Sequence, residues 1–293
     1  YLNLGSVARA RGDLPDAKRR WEAALAIRKK VAPGSLEVAS LLFNLGLVAR
    51  ESGNLDEAKQ WYEAALAIRE KLVPGSLEVA SVCFSLGYVA QAAKDYGEAK
   101  RRYEAALDIR ESLVPGTPEV ANTHLNLGLV AQAQSDYVEA QRRFETALAI
   151  REKLAPSSTE SAILLANLGS VLSLRAEYAK AQQKYEAALS IYEKVSPNSM
   201  EVAGVSKLLG AIAFQLGDLE GAKRRYDITL AIQQKIAPES MALAETLNNL
   251  GTVARQRGDL EEAERKHRSA MAIQEKLDPA SIDIATSLDG LGA

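Results

Sequence analysis

The sequence predicts an all-α fold, an α-solenoid of stacked antiparallel helix hairpins with a 41-residue period. Three observations carry it. A Leu-Gly pair returns with its glycine at Gly5, Gly46, Gly87, Gly128, Gly169, Gly210, Gly251 and Gly292, each 41 residues after the last. A proline keeps the same beat at Pro33, Pro74, Pro115, Pro156, Pro197, Pro238 and Pro279. Apolar residues between these marks, such as Leu45, Val48, Tyr62, Leu66, Ile68 and Leu72, follow spacings of three and four, which mark one helical face. A fixed period of this size is the mark of a stacked repeat architecture. Residues 1–293 therefore read as one array: seven A/B helix pairs, the first truncated, and a partial eighth helix A. The chain opens at Tyr1 within one helix pattern and stops within another, so it reads as a fragment of a longer chain.

Each repeat begins with a cap. Ser76 follows Pro74-Gly75 and precedes an apolar-periodic run, which predicts an N-cap. Ser35, Thr117, Ser158, Ser199, Ser240 and Ser281 hold the same slot. An acid two residues on (Glu37, Glu78, Glu119, Glu160, Glu201, Asp283) complements the helix dipole. Helix A then runs about as far as Ala93 in this repeat. Helix B has its own start, with Asn54, Asp95 and Asp136 three residues before Glu57, Glu98 and Glu139 in a capping-box arrangement. Gly12, Gly53, Gly217 and Gly258 precede such caps and suit a tight A-to-B turn. Helix B should end at the residue before proline. Small residues at Ala39, Gly46, Ala58 and Ala65 mark where helices touch.

Composition narrows the function. The net charge is −2, with both signs interspersed, which leaves no footprint for nucleic acid or an anionic membrane. No apolar run approaches the roughly 20 residues of a membrane span. A single cysteine forbids an internal disulfide and fits a reducing, cytoplasmic compartment. No metal-ligand spacing, phosphate loop or nucleotide fingerprint is present, so no cofactor and no small-molecule substrate are expected. Cys83 and His124 share a helix-A slot one repeat apart. Repeat axes stand about 8–10 Å apart, too far for a nucleophile–base pair, so the chain is expected not to be an enzyme. His267 stands where other repeats carry the helix-B aromatic and reads as packing. The pairs Arg19-Arg20, Arg101-Arg102, Arg142-Arg143 and Arg224-Arg225 follow the acids Asp16, Glu98, Glu139 and Glu220, and read as a solvated face with helix-surface ion pairs.

Leu42, Leu45-Gly46 and Ala49, then Ala58, Tyr62 and Ala65, then Pro74, resemble the tetratricopeptide repeat. Two departures stand out. Leu42 and Ala49 replace the usual helix-A Trp and Tyr, and the period exceeds the usual 34 residues. The extra residues, as in Ala67-Ile68-Arg69-Glu70-Lys71-Leu72-Val73, amount to two helical turns and lengthen helix B without rotating its face. This long-B variety is similar to kinesin light chain repeats. Its Pro33 to Ala39 loop is closer to arrays in bacterial proteins joined to NTPase switch domains or caspase-like CHAT proteases. The resemblance implies a right-handed superhelix with A helices on the concave face. It also implies a protein-binding scaffold or, alternatively, a regulatory arm for an attached domain.

On that implied face the groove residues are Asn3, Asn44, Asn126, Asn167 and Asn249 in one slot, with Phe43, Leu47, Arg50, Phe84, Tyr88, Gln91, Leu125, Leu129 and Gln132 beside them. Asparagine is a poor helix residue, and its amide can pair with an extended peptide backbone whatever the side chains. In several members of the family an asparagine in this slot does so. The other reading is that each asparagine bonds a neighbouring repeat and sets its spacing. The apolar members either floor a binding groove or tilt into the packing between A helices. The expected partner is a protein or peptide. The cut ends, with apolar faces at Leu2 and at Leu288 and Leu291, also offer a surface for end-to-end self-association.

Overall fold

Helix-forming segments alternate with cap and turn signals, and the computed structural model folds them accordingly. It describes residues 2–278 and Ser287, without the side chains of Leu2 and Asn3. Apart from Ser287, the partial eighth helix A lies outside the described residues, as do its cap Ser281, Leu288, Leu291 and the side chains of Leu2 and Asn3. The A helices are α1 (Leu2–Ala10), α3 (Leu36–Glu51), α5 (Leu77–Ala92), α7 (Pro118–Ala133), α9 (Thr159–Leu174), α11 (Met200–Gln215) and α13 (Met241–Gln256). The B helices are α2 (Leu14–Val31), α4 (Leu55–Leu72), α6 (Tyr96–Leu113), α8 (Tyr137–Leu154), α10 (Tyr178–Val195), α12 (Leu219–Ile236) and α14 (Leu260–Leu277). No strand occurs among the described residues. Two compact units result, Tyr1–Ile150 and Arg151–Ala293. Within each, a B helix packs on the A helix of its own hairpin and on the A helix that follows.

The caps work as expected in most repeats. Ser35, Ser76, Ser158, Ser199 and Ser240 each accept the N–H three residues on. So do Asp13, Asn54, Asp95, Asp218 and Asp259 at the B helices. Thr117 differs: its hydroxyl donates to the Val114 carbonyl at 3.0 Å and accepts no cap hydrogen bond. Helix B stops one residue short of the expected end. Ala32, Val73 and Val114, each before a proline, are C-caps with φ of −150°, −139° and −141°. Steric conflict with the proline ring excludes them from the helix. The turn glycines Gly12, Gly53, Gly217 and Gly258 all have φ between +78° and +81°, where a side chain is strained.

The Leu-Gly signature is a contact surface. Gly46 faces the Tyr62 ring, Gly87 faces Tyr103, Gly128 faces Phe144, Gly169 faces Tyr185, Gly210 faces Tyr226 and Gly251 faces His267. A Cβ at Gly128 would stand 2.5 Å from Cε1 of Phe144. The missing side chain therefore lets the two helices of a hairpin close over a buried ring. Tyr62, Tyr103, Phe144 and Tyr185 are 0–1% exposed.

Above two of these rings a helix-A phenylalanine and a helix-B arginine add a second layer. Phe43 stacks obliquely on Tyr62 with centroids 5.4 Å apart, and the Arg69 guanidinium covers Phe43 at 5.0 Å. Phe84, Tyr103 and Arg110 repeat the arrangement at 5.2 and 4.7 Å. Arg69 and Arg110 are buried, and each donates to a carbonyl in the first turn of the next A helix, Glu78 at 3.0 Å and Glu119 at 3.2 Å. Arg110 also donates to Thr123 Oγ1 at 2.7 Å. Leu72, expected to point inward, is 46% exposed, while Arg69 one turn earlier is buried. The last described repeat fills the same positions with a hydrogen-bonded network. His267 Nδ1 donates to Asn248 Oδ1 at 3.0 Å, and Asn248 Nδ2 donates to Ser287 Oγ at 2.9 Å. Ser287 donates in turn to Gln274 Oε1 at 2.7 Å. Ring, cation and partner hydroxyl have changed together.

Candidate functional site

The side chains proposed for the groove lie on the A helices, and packing has already engaged several of them. Phe43 and Phe84 are half-buried between a helix-B tyrosine and an arginine, so only part of each ring reaches solvent. Leu47, Leu125 and Leu129 are also half-buried. Tyr88 is the exposed aromatic of the set, at 46%, and the Arg50 guanidinium of the preceding A helix lies 5.1 Å from its ring centre. Gln91 Oε1 accepts the Tyr103 hydroxyl at 2.8 Å, and Gln132 is half-buried. Charged links join neighbouring A helices on the same surface: Arg9 with Glu51 at 2.6 Å and Lys207 with Glu245 at 2.8 Å.

The four described asparagines share one slot but not one role. Asn126 Nδ2 donates to the Asn122 carbonyl in its own helix at 2.8 Å. Its Oδ1 accepts a long 3.4 Å bond from the Tyr103 hydroxyl of the preceding hairpin. Asn167 Nδ2 donates to the Ile163 carbonyl at 2.9 Å, one turn back. Asn44 and Asn249 are half-buried and form no hydrogen bond among the described residues. Asn126 thus links repeats, while Asn44 and Asn249 keep whole amides available and Asn167 its carbonyl oxygen.

Cys83 and His124 have separate surroundings. Burial pushes the Cys83 thiol up, away from the reactive thiolate. His124 Nε2 lies 3.1 Å from Glu111 Oε1, and Nδ1 lies 3.4 Å from Arg143 Nη1. Burial, with Arg143 beside it, holds the His124 pKa below the usual histidine value, and burial does the same for His267. A prediction follows. Both folded pKa values lie below the unfolded value of about 6.5, so the unfolded chain binds more protons as pH falls below that point and stability drops. These are the chain's two histidines. The melting temperature should therefore fall between about pH 7 and pH 5.5, and a His124→Leu/His267→Phe variant should lose most of that slope. Thermal melts of both proteins at the two pH values measure it. A variant that keeps the full slope contradicts the assignment.

Three of the four arginine pairs are internally neutralised. Asp16 holds Arg19 and Arg20, Glu98 holds Arg101 and Arg102, and Glu139 holds Arg142 and Arg143. Both arginines grip one carboxylate, which draws the Glu139 pKa down to about 2. The fourth expectation fails, because Glu220 pairs with Arg257 at 2.9 Å. The residue one turn before Arg225 is Gly221, and neither Arg224 nor Arg225 has an ion pair among the described residues. Sequence reasoning missed this and also the inward turn of Arg69 and Arg110. The available signals were the glycine in an otherwise acidic slot and the return of arginine at Arg28, Arg69, Arg110 and Arg151.

Among the described residues no group of three or more His, Cys, Asp or Glu side chains could hold a metal ion, and no helix is long and apolar enough to cross a membrane. No curated protein matches the sequence. The chain is similar in structure to a signal transduction ATPase with numerous domains (STAND) from Pyrococcus horikoshii that carries a tetratricopeptide repeat sensor. That likeness has a TM-score of 0.80 at 15% identity and covers 99% of this chain and 43% of that one. The apo form of RapI gives a TM-score of 0.69 at 18% identity, over 96% and 98% of the two chains. A Podosopora anserina kinesin light chain with nearly identical TPR-like repeats gives 0.61 at 19%, over 69% and 98%. Tetratricopeptide repeat models match residues 1–71, 80–113, 119–194 and 201–276. Hairpins closed on glycine and aromatic, repeated from end to end of the described residues, place this chain in the tetratricopeptide repeat family.

Proposed function

We propose that the chain is a non-catalytic protein-interaction array whose A-helix surface holds a peptide or a partner segment. The supporting observation is that one helix-A slot keeps uncommitted amides at Asn44 and Asn249 and an uncommitted amide oxygen at Asn167. In the first unit Asn44 lies on the same A-helix face as the exposed ring of Tyr88 and the half-buried Leu47, Leu125 and Leu129. Such a strip offers donors and acceptors to an extended backbone and apolar area to its side chains. The reading is tested with a peptide selected from a displayed random library and with methyl-labelled leucines in NMR spectra. Peptide addition is expected to shift the Leu47, Leu125 and Leu129 methyls and to leave Leu72 and Leu113 on the B helices unmoved. The reverse pattern, or a library that yields no binding peptide, would contradict it.

A second reading makes the array a sensor arm that regulates an attached NTPase or CHAT-type protease domain. Its support lies at the level of fold, in the likeness to the sensor-bearing STAND protein. Expression of the chain with its adjoining domain tests it, because deletion of the array should then change that domain's basal activity.

A further inference from the structure

Clefts open between successive B helices, each floored by the A helix between them. In the first unit, the cleft between α2 and α4 over Val38 and Leu42 has a volume of about 320 Å³, and that between α4 and α6 over Leu86 and Val89 about 120 Å³. The cleft between α6 and α8 over Leu127 and Val130 has about 20 Å³. In the second unit, the cleft between α10 and α12 over Leu209 and Leu216 reaches about 410 Å³. Arg224, Arg225 and Ile228 line it, together with Gly221.

The same repeat has lost its internal counter-ion. Where Asp16, Glu98 and Glu139 grip arginine pairs at N–O distances down to 2.6 Å, this repeat has Gly221. The acids nearby are otherwise engaged. Glu220 pairs with Arg257, Asp227 with Lys223 at 3.1 Å, and Glu186 accepts from Gln182 at 2.9 Å. Asp218 lines the cleft as a cap and accepts the Gly221 N–H at 2.8 Å. Arg225 is half-buried without an ionic partner among the described residues, the setting in which a supplied anion gains most. Leu216 and Ile228 at the cleft are 52% and 42% exposed, which adds apolar area beside the charge.

We propose that the α10–α12 cleft binds a carboxylate side chain of a protein partner, from an acidic segment with apolar neighbours. The partner's Asp or Glu takes the place that the repeat's own acid fills three times elsewhere in this chain. The inference rests on the chain being a protein-binding array, and it uses the B-helix face rather than the A-helix strip.

The test uses the whole chain and a labelled synthetic peptide rich in Glu and Leu, beside its Glu→Gln counterpart and inorganic phosphate. The Glu peptide is expected to bind about tenfold or more tightly than its Gln counterpart, and Arg225→Gln should remove that difference. Gly221→Glu should abolish binding while raising the melting temperature, since it restores an internal partner for both arginines. Asp218 must turn aside for the new Cβ; Asp95 and Asp136 coexist with Glu98 and Glu139 in the same arrangement. Asn44→Ala/Asn167→Ala should leave binding unchanged. Gly221→Glu that binds like the wild type overturns the proposal. So does loss of binding in the asparagine variant alone, which would move the acidic peptide to the A-helix strip and leave the scaffold reading standing. Arg225-dependent stabilisation by phosphate without peptide binding also overturns the carboxylate assignment.

Discussion

Phe144→Ala is expected to destabilise the first unit by about 3–5 kcal/mol, the usual range for deleting a fully buried aromatic ring. The ring is 0% exposed and lies against the backbone of Gly128, which carries no Cβ to collapse into the space. The reciprocal change, Gly128→Ala, forces a methyl to 2.5 Å from the ring. Overpacking of this kind costs about 1–3 kcal/mol, offset by roughly 1 kcal/mol of improved helix propensity. The two changes must couple, because the alanine methyl at 128 occupies space that Phe144→Leu partly frees. Denaturant unfolding of Gly128→Ala, Phe144→Leu and the double variant measures the coupling. Additive effects would mean that the glycine is present for some reason other than ring contact.

Arg110→Met should cost roughly 1.5–3 kcal/mol, the range for hydrogen bonds to a charged group. The substitution keeps a long side chain but removes the bonds to the Glu119 carbonyl and Thr123 Oγ1 and the cation above Phe84. Arg28→Met at the equivalent place in the first hairpin is the control, since Arg28 is exposed and should change little. Equal effects at the two positions in chemical unfolding would show that the buried guanidinium is not the stapling element.

The alternation of helices was legible because glycine, aromatic and proline each answer a local steric demand that returns in every repeat. Gly46 and Tyr62 are legible as contact residues from spacing alone. Arg69 was not legible, because a charged residue near a helix end reads as solvated. It is buried because its planar cation can stack on Phe43 while its N–H groups reach a carbonyl of the next helix. The asparagine slot was legible as a slot but not as a function. Identical amides meet different neighbours: Tyr103 offers Asn126 a hydroxyl, whereas the aromatic before Asn44 is Trp21, which carries none. The cleft arginines escaped notice because the acid of that repeat is displaced by one residue, to Glu220. A helix turns about 100° per residue, so that shift carries the carboxylate away from Arg225 and towards Arg257.

The central claim is that the free asparagine amides hold a partner rather than the array. Asn44→Ala tests it most directly, because Asn44 has no hydrogen bond among the described residues to lose on substitution. The measurement pairs thermal unfolding with affinity for the display-selected peptide, on wild type and Asn44→Ala side by side. Loss of one net hydrogen bond to the peptide, roughly 0.5–1.5 kcal/mol, should weaken binding by up to about tenfold. The melting temperature should stay within error of the wild type. An Asn44→Ala protein that melts earlier and binds as before would contradict the account and make the asparagine a spacer between repeats.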